Sequence, residues 1–190
     1  MAIMQMMITS SATPAAPAEF VGGASVFKSI WYVPLEVVLP LGIQAGDLIV
    51  LVGAGADITG ISENDYSLGF SSSNARVYHK IADGDESGNE VGINTSFGSE
   101  GQAAGCFVFR NAVFDSADND EPIPSHVFPA GGGFSFFVAN NEITVPSGWT
   151  QVGSGTDRTV AYRQEIEGSS ALTNLSYSFG FAQGYVHSAG

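Results

Sequence analysis

Residues 83–88, Asp-Gly-Asp-Glu-Ser-Gly, place three carboxylates and two glycines in six positions. Calcium binds such oxygens, but a loop of the D-x-D-x-[DN]-G-x5-E type must close with a bidentate carboxylate at its twelfth position. Counted from Asp83, the third, fifth and sixth positions are Asp85, Ser87 and Gly88, but the twelfth is Asn94. The sequence therefore favours a solvated turn, with Asp83, Asp85 and Glu90 as weak candidates for a surface metal site and no cofactor.

The sequence lacks the usual arrangements for nucleophilic or zinc chemistry. His79, His126 and His187 are far apart, one cysteine cannot build a thiolate zinc site, and no G-x-S-x-G motif occurs. Cys106 stands in the apolar run Gly-Cys-Phe-Val-Phe, which predicts a small buried side chain. We therefore expect no enzymatic activity.

Three aromatic residues could instead contact a receptor or stack on a sugar. Tyr66 and Phe70 lie in the loop-like stretch 61–70, and Trp149 follows Pro-Ser-Gly. The alternative for Trp149 is packing over an open end of the core, and this alternative is favoured because tryptophan is highly buried on average.

The elements that must position these residues are short strands. The chain has 24 glycines and only 13% charged residues, and its apolar runs are strand-length and bounded by Gly, Asn, Asp or Ser. The run Gly-Asp-Leu-Ile-Val-Leu-Val, residues 46–52, predicts a strand buried on both faces. These features predict an all-β fold, a jelly-roll-like antiparallel β-sandwich.

The two halves of the chain resemble each other weakly. Residues 46–55, 75–88 and 94–109 have counterparts in residues 132–141, 158–170 and 174–190. Two similar half-sheets facing each other would form one sandwich, although any glycine-rich β chain shows some such similarity. We predict one domain, residues 20–190, with an acidic surface connection at about 111–133 between the halves.

Residues 1–19 predict an extended N-terminal arm. Met4, Met6, Met7 and Ile8 are adaptable apolar side chains, and a Pro/Ala-rich spacer follows them. Such an arm is expected to dock on another subunit; the alternative is that it folds back on its own domain.

The charge balance excludes some partners. The formal net charge is −13, and only six residues are basic, all scattered. No basic patch for a phosphate backbone exists, so no nucleic acid is expected. No apolar run is long enough to span a bilayer, so no membrane insertion is expected.

The order of several short motifs resembles a family of β-sandwich structural proteins of tailed-bacteriophage particles. The sharpest motifs are Gly46-Asp47-Leu48, the turn Pro146-Ser-Gly-Trp149-Thr150, and a Tyr-Arg strand followed by a small acidic turn. A second turn of the P-x-GW-T type is expected near residues 60–70, where the chain has a different loop.

The resemblance implies a non-enzymatic protein on the exterior of a phage particle. A head decoration or head spike, docked through its arm, is expected first. A tail-fibre or receptor-binding part, or a carbohydrate-binding module, is the alternative. The implied partners are capsid or tail subunits, further copies of the chain as a homo-oligomer and, for the alternative, a host-surface glycan.

Overall fold

A computed structural model describes residues 16–28, 34–55, 58–95, 101–118, 126–140, 143–152, 159–168, 170–171 and 181–189. This part of the chain contains fifteen strands and no helix, so the all-β prediction is confirmed. The predicted docking residues Met4, Met6, Met7 and Ile8 lie outside the described residues.

The first half of the chain contributes eight strands. They are β1 (Glu19–Lys28), β2 (Leu35–Val38), β3 (Leu48–Ala54), β4 (Ile58–Ile61), β5 (Ser67–Ser71), β6 (Ala75–Ile81), β7 (Glu90–Thr95) and β8 (Gln102–Arg110). The second half contributes seven. They are β9 (Ala112–Asp118), β10 (His126–Val127), β11 (Gly133–Ala139), β12 (Thr150–Gln151), β13 (Thr159–Glu165), β14 (Ser170–Ala171) and β15 (Phe181–Ser188).

These strands form two large sheets that pack face to face. The first sheet has the order β1-β8-β3-β6-β5, and the second sheet has the order β12-β13-β11-β15-β9. A three-stranded outer sheet, β2-β7-β4, covers the other face of the first sheet, and β10 pairs with β14. All of these pairings are antiparallel. The jelly-roll-like connectivity stays a prediction.

Strand β3 is buried along its whole length because it lies in the middle layer. One set of its side chains, Leu48, Val50 and Val52, belongs to the same core cluster as Phe136 and Val138 of the second sheet. The alternate set, Ile49 and Leu51, packs with the outer sheet. This double burial explains the continuous apolar run in the sequence, since neither face meets water.

The two large sheets repeat the same strand plan. Strands β9, β15, β11, β13 and β12 take the places of β1, β8, β3, β6 and β5. The β10–β14 pair likewise corresponds to β2–β7. The register is also shared: Leu48 pairs with Ile81 and Phe109, and its counterpart Phe134 pairs with Gln164 and Val186.

Each of the two large sheets also has a β-bulge in its edge strand, at the matching position. Strand β1 has a register shift between Phe20 and Gly22, and β9 skips from Phe114 to Ser116 opposite β15. Each bulge places one extra residue in the edge strand of its sheet, which bends that strand locally. Bulges tend to recur in related structures, so the match supports an internal duplication.

The two halves exchange equivalent aromatic contacts. Phe20 of the first half stacks on Tyr162 of the second, with ring centroids 3.8 Å apart. Phe114, the counterpart of Phe20, stacks on His79, the counterpart of Tyr162, with centroids 4.3 Å apart. Each half thus gives the other the same contact, as in a two-fold symmetric pair.

Two predicted boundaries differ from the structure. The stretch 111–133 was predicted as a surface connection, but Ala112–Asp118 form β9, the edge strand of the second sheet. An edge strand accepts exposed polar residues such as Asp115 and Ser116. These residues interrupt the apolar pattern by which a strand is predicted from sequence. The sandwich also begins before residue 20, because Ala18 is buried in the core and its N–H donates to Ser188 Oγ.

Candidate functional site

The acidic turn between β6 and β7 is organised around one inward-pointing carboxylate. Glu86 is only 6% exposed, and its two oxygens accept the backbone N–H groups of Asp83 and Gly84 at 2.8 and 2.9 Å. Gly84 has a φ of +106°, a region that side chains disfavour. Glu86 therefore fixes the shape of its own turn, and the sequence pattern did not show which carboxylate would point inward.

Lys80, near the end of β6, links this turn to a second loop. Its Nζ lies 2.9 Å from Glu86 Oε1 and 3.5 Å from Asp83 Oδ2, and it also donates to Asp65. The ammonium stands 5.6 Å from the centre of the Tyr66 ring. Only 9% of the Lys80 side chain is exposed, so one cation holds the 62–66 loop against the acidic turn.

A surface cleft of about 420 Å³ opens beside this cluster. Its volume is within the range of small-ligand sites. The lining residues are Leu39, Glu63, Asp65, Tyr66, Lys80, Asp85, Glu86, Asn89, Glu90 and Val91.

Three groups of the cluster, Glu86, Lys80 and Tyr66, have pKa values shifted further away from neutrality. Burial opposes the charge on Glu86, but the N–H groups of Asp83 and Gly84 and the Lys80 ammonium together lower its pKa to about 2. Burial also opposes the charge on Lys80, yet hydrogen bonds to Asp65 and Glu86 raise its pKa above the usual value. Burial raises the pKa of Tyr66. None of these three groups is poised to exchange a proton near pH 7, as a general acid or base would be.

The three weak metal candidates are not gathered around one point. Asp83 faces Lys80, while Asp85 and Glu90 line the cleft. Within the described ranges, no group of three or more His, Cys, Asp or Glu side chains is placed to hold a metal ion.

The second half carries a counterpart of the Lys80 cluster. Arg163 stands 5.1 Å from the centre of the Trp149 ring, and its Nη2 lies 2.7 Å from Glu165 Oε1. Ser67 pairs with His79 in the register in which Thr150 pairs with Tyr162, so Tyr66 holds the place of Trp149. Lys80 likewise holds the place of Arg163. The missing second P-x-GW-T turn is therefore replaced by a loop that keeps the cation–aromatic contact.

The three predicted receptor-facing aromatics all have packing partners. Trp149 packs with Phe137 in a small cluster on the outer face of the second sheet. Phe70 packs against the core between the two large sheets, and the Tyr66 ring lies under Lys80. Trp149 thus has the packing role, and of the three only Tyr66 lines the cleft.

The other candidate residues are dispersed. His79 stacks on Phe114, His126 stacks on Tyr185, and His187 Nδ1 lies 3.0 Å from the Ser188 carbonyl oxygen. Burial lowers the pKa of His79 and raises that of the fully buried Cys106. They do not meet in one site.

Comparisons of the chain with protein families, with curated proteins and with solved structures give no match. No described segment is a helix with the length and apolar character needed to cross a membrane.

The low pKa of Glu86 predicts a specific acid sensitivity. Its folded pKa of about 2 is below the ordinary 4.5, so its stabilising effect is complete above pH 4.5 and is lost as the pH falls toward 2. At neutral pH, Glu86→Gln should lower the free energy of unfolding by at most about 3 kcal/mol. The difference from the wild type should shrink below pH 4.5, as measured by urea unfolding at a series of pH values.

The matched control is Glu167→Gln, which removes an exposed carboxylate from the corresponding turn of the second half. Its effect should stay within about 0.5 kcal/mol, as is usual for surface changes. A Glu86→Gln deficit that persists unchanged down to pH 3 would contradict the assigned role of the carboxylate.

Proposed function

We propose that the chain is a non-enzymatic virion structural protein on the outside of a phage particle. In this proposal it is a head decoration or head-spike component that docks through its N-terminal arm. The observation that carries the proposal is that the buried carboxylates of the described part, Asp47, Glu86 and Glu165, are each paired with a cation that holds structure in place. The motif resemblance supplies the class of particle.

Three such pairs hold the described part together. Asp47, 2% exposed, accepts two hydrogen bonds from Arg110 at 2.9 Å, which fixes the loop before β3. Lys80 and Glu86 fix the acidic turn, and Arg163 and Glu165 fix the outer face of the second sheet. A carboxylate whose ion pair holds a loop in place is not available for proton transfer. The three ion pairs therefore support a structural protein over an enzyme.

The entry point of the chain suits a docking arm. Ala18 is bonded to Ser188 Oγ, and the Pro17 carbonyl accepts a bond of 3.5 Å from Asn111 Nδ2. The ten-residue strand β1 follows at once. An arm rooted in this way would transmit its attachment directly to the first sheet.

The acidic composition is consistent with a position on the particle exterior. A net charge of −13 favours a soluble, self-repelling surface and disfavours contact with packaged nucleic acid. Other virion proteins, and further copies of the chain in a homo-oligomer, are the proposed partners.

The arm is tested by deleting residues 1–15, which leaves the buried Ala18 in place. Particles assembled with only this variant should lack the chain, because its attachment segment is gone, while the purified variant keeps the far-ultraviolet circular dichroism spectrum of the wild type. Incorporation is measured by quantitative mass spectrometry of purified particles.

A matched pair of multiple substitutions tests whether docking needs the apolar side chains of the arm. Changing Met4, Met6, Met7 and Ile8 together to serine should reproduce the loss, whereas changing Thr9, Ser10, Ser11 and Thr13 to alanine should not. Full loading of the truncated chain would refute docking through the arm.

The second candidate is a tail-fibre or receptor-binding part, or a carbohydrate-binding module that contacts a host-surface glycan. The cleft lined by Tyr66, Asn89 and several carboxylates is the observation that favours it. If this candidate is right, particles that carry Tyr66→Ala should adsorb less to host cells although they still contain the chain.

A further inference from the structure

Most of the exposed large apolar side chains lie at one end of the sandwich. Six such side chains occur in the described part, and the most exposed are Leu41 at 80%, Ile166 at 75% and Val127 at 68%. Five of the six belong to what we term the proximal end, the end at which the chain enters through Ala18. The five are Val38, Leu41, Ile81, Val127 and Ile166; the sixth, Leu68, lies within β5.

Strand register and the connecting loops place these five residues at that end, distributed over both halves of the sandwich. Ile81 ends β6 opposite Leu48, Val38 ends β2, and Leu41 lies in the loop that leads to Leu48. Val127 ends β10 and Ile166 follows β13. The ends of the two large sheets are joined here, because β8 continues into β9 through Asn111 and the Ala18 N–H, just before β1, donates to Ser188 Oγ of β15.

Both halves present the same framework at the proximal end. Leu39-Pro40-Leu41-Gly42 corresponds to Phe128-Pro129-Ala130-Gly131, and the two glycines have φ values of +88° and +90°. Each stretch directly follows an exposed valine, Val38 or Val127. The exposed valine and the framework after it are therefore repeated in the duplicated plan, whereas Ile81 and Ile166 have the polar counterparts Gln164 and Asp83.

The proximal end is also acidic, which limits what can cover it. Asp83, Asp85, Glu90 and Glu167 are exposed around it. At this end a second sandwich, with its own net charge of −13, is therefore disfavoured, which leaves other surfaces for contacts between copies. Residues 1–18 contain no charged side chain, so this segment can approach without repulsion.

The segment is rooted at the same end and has enough length. Ile8 and Ala16 are eight Cα–Cα steps apart along the chain, which can span about 27 Å when extended, whereas packed sheets lie about 10 Å apart. A short tether also raises the local concentration of the segment to the millimolar range. These factors favour the arm of the same chain over that of a second copy.

We propose that in the free protein the apolar stretch Met4–Ile8 packs on the apolar side chains of the proximal end of its own sandwich. Methionine adapts to irregular surfaces, which suits scattered contacts such as Leu41 and Ile166. The packed arm protects both apolar surfaces from water until a docking partner replaces one of them. This inference concerns the free protein and does not depend on which particle component the arm would reach.

Disulfide trapping in the full chain at micromolar concentration tests the proposal. Met6→Cys combined with Ile166→Cys should form an intrachain disulfide in most chains on mild oxidation, as measured by peptide mass spectrometry. The control combines Met6→Cys with Ser73→Cys, which is exposed in the turn between β5 and β6 at the opposite end of the first sheet, and it should react at least severalfold less. Cys106 does not compete because it is fully buried.

A second measurement does not rely on introduced cysteines. Deleting residues 1–15 should raise the fluorescence of an added apolar dye severalfold, because the proximal end is uncovered. Equal trapping at positions 166 and 73, or unchanged dye binding after the deletion, would overturn the proposal. Interchain disulfides would also overturn it, by assigning the site to a second copy. Loss of particle incorporation with no trapping would leave the proposed function standing and remove only this inference.

Discussion

Gly133→Ala is expected to destabilise the protein by more than about 3 kcal/mol and to prevent folding if the wild type is marginal. Gly133 begins β11 and lies between β13 and β15. A Cβ atom there would stand 2.0 Å from the Val186 carbonyl oxygen and 2.8 Å from the His187 Cα. Both obstacles are main-chain atoms of a central strand, so the clash cannot be relieved by rotating a side chain. Urea unfolding followed by circular dichroism measures the loss.

The control is Gly60→Ala in β4. The nearest atom to its added Cβ would be Asn94 Nδ2 at 3.9 Å, an ordinary contact. This change should be neutral or slightly stabilising, because alanine reduces the entropy of the unfolded chain. Wild-type stability for Gly133→Ala would mean that β11 and β15 do not approach so closely.

The strands that could be predicted from sequence are those whose burial or whose ends are marked by a local pattern of residues. The run 46–52 is apolar because both faces of β3 are covered. The breaks at Pro34 and Pro40 bracket β2 because proline cannot continue a paired strand interior. In these segments, local pattern and tertiary burial agree.

The segments that depend on distant partners could not be predicted in the same way. Strand β9 resembles an acidic connection because, as an edge strand, it needs only part of one face to be apolar. The similarity between the halves pairs residues 46–55 with 132–141, and these stretches hold β3 and β11 at equivalent places. The crossed contacts of Phe20 and Phe114 depend on how the two sheets pack, which no local pattern encodes.

The candidate site likewise combines features that the local sequence predicts with features that depend on distant residues. The turn at 83–88 follows from its glycines and acidic residues. Which carboxylate turns inward does not follow, because Glu86 is selected by Lys80 and by backbone N–H groups. Asp65 joins the cluster across fifteen residues of sequence through the pairing of β5 with β6. Tyr66 takes the place of Trp149 through the same register, although the turn motif itself is absent.

Arg163→Met is expected to cost about 3 kcal/mol, because it leaves a buried carboxylate without its cation. Glu165 is 6% exposed, and its Oε1 accepts bonds from Arg163 Nε at 2.7 Å and from Ser135 Oγ at 2.8 Å. The substitution also removes the cation from the Trp149 ring. Methionine retains the volume and apolar character of the arginine stem, so the loss reports on charge more than on packing. Urea unfolding followed by tryptophan fluorescence measures it.

The double variant Arg163→Met with Glu165→Gln separates the two contributions. A neutral amide can still accept the Ser135 hydroxyl and carries no unpaired charge, so more than half of the lost stability should return. Lys28→Met makes the same change in net charge at an exposed hydrogen bond and should cost no more than about 0.5 kcal/mol. If the double variant is as unstable as Arg163→Met alone, the loss arises from the Trp149 contact and not from the buried carboxylate. In that case the cation–aromatic pair, which both halves retain, is what holds the outer face of the second sheet.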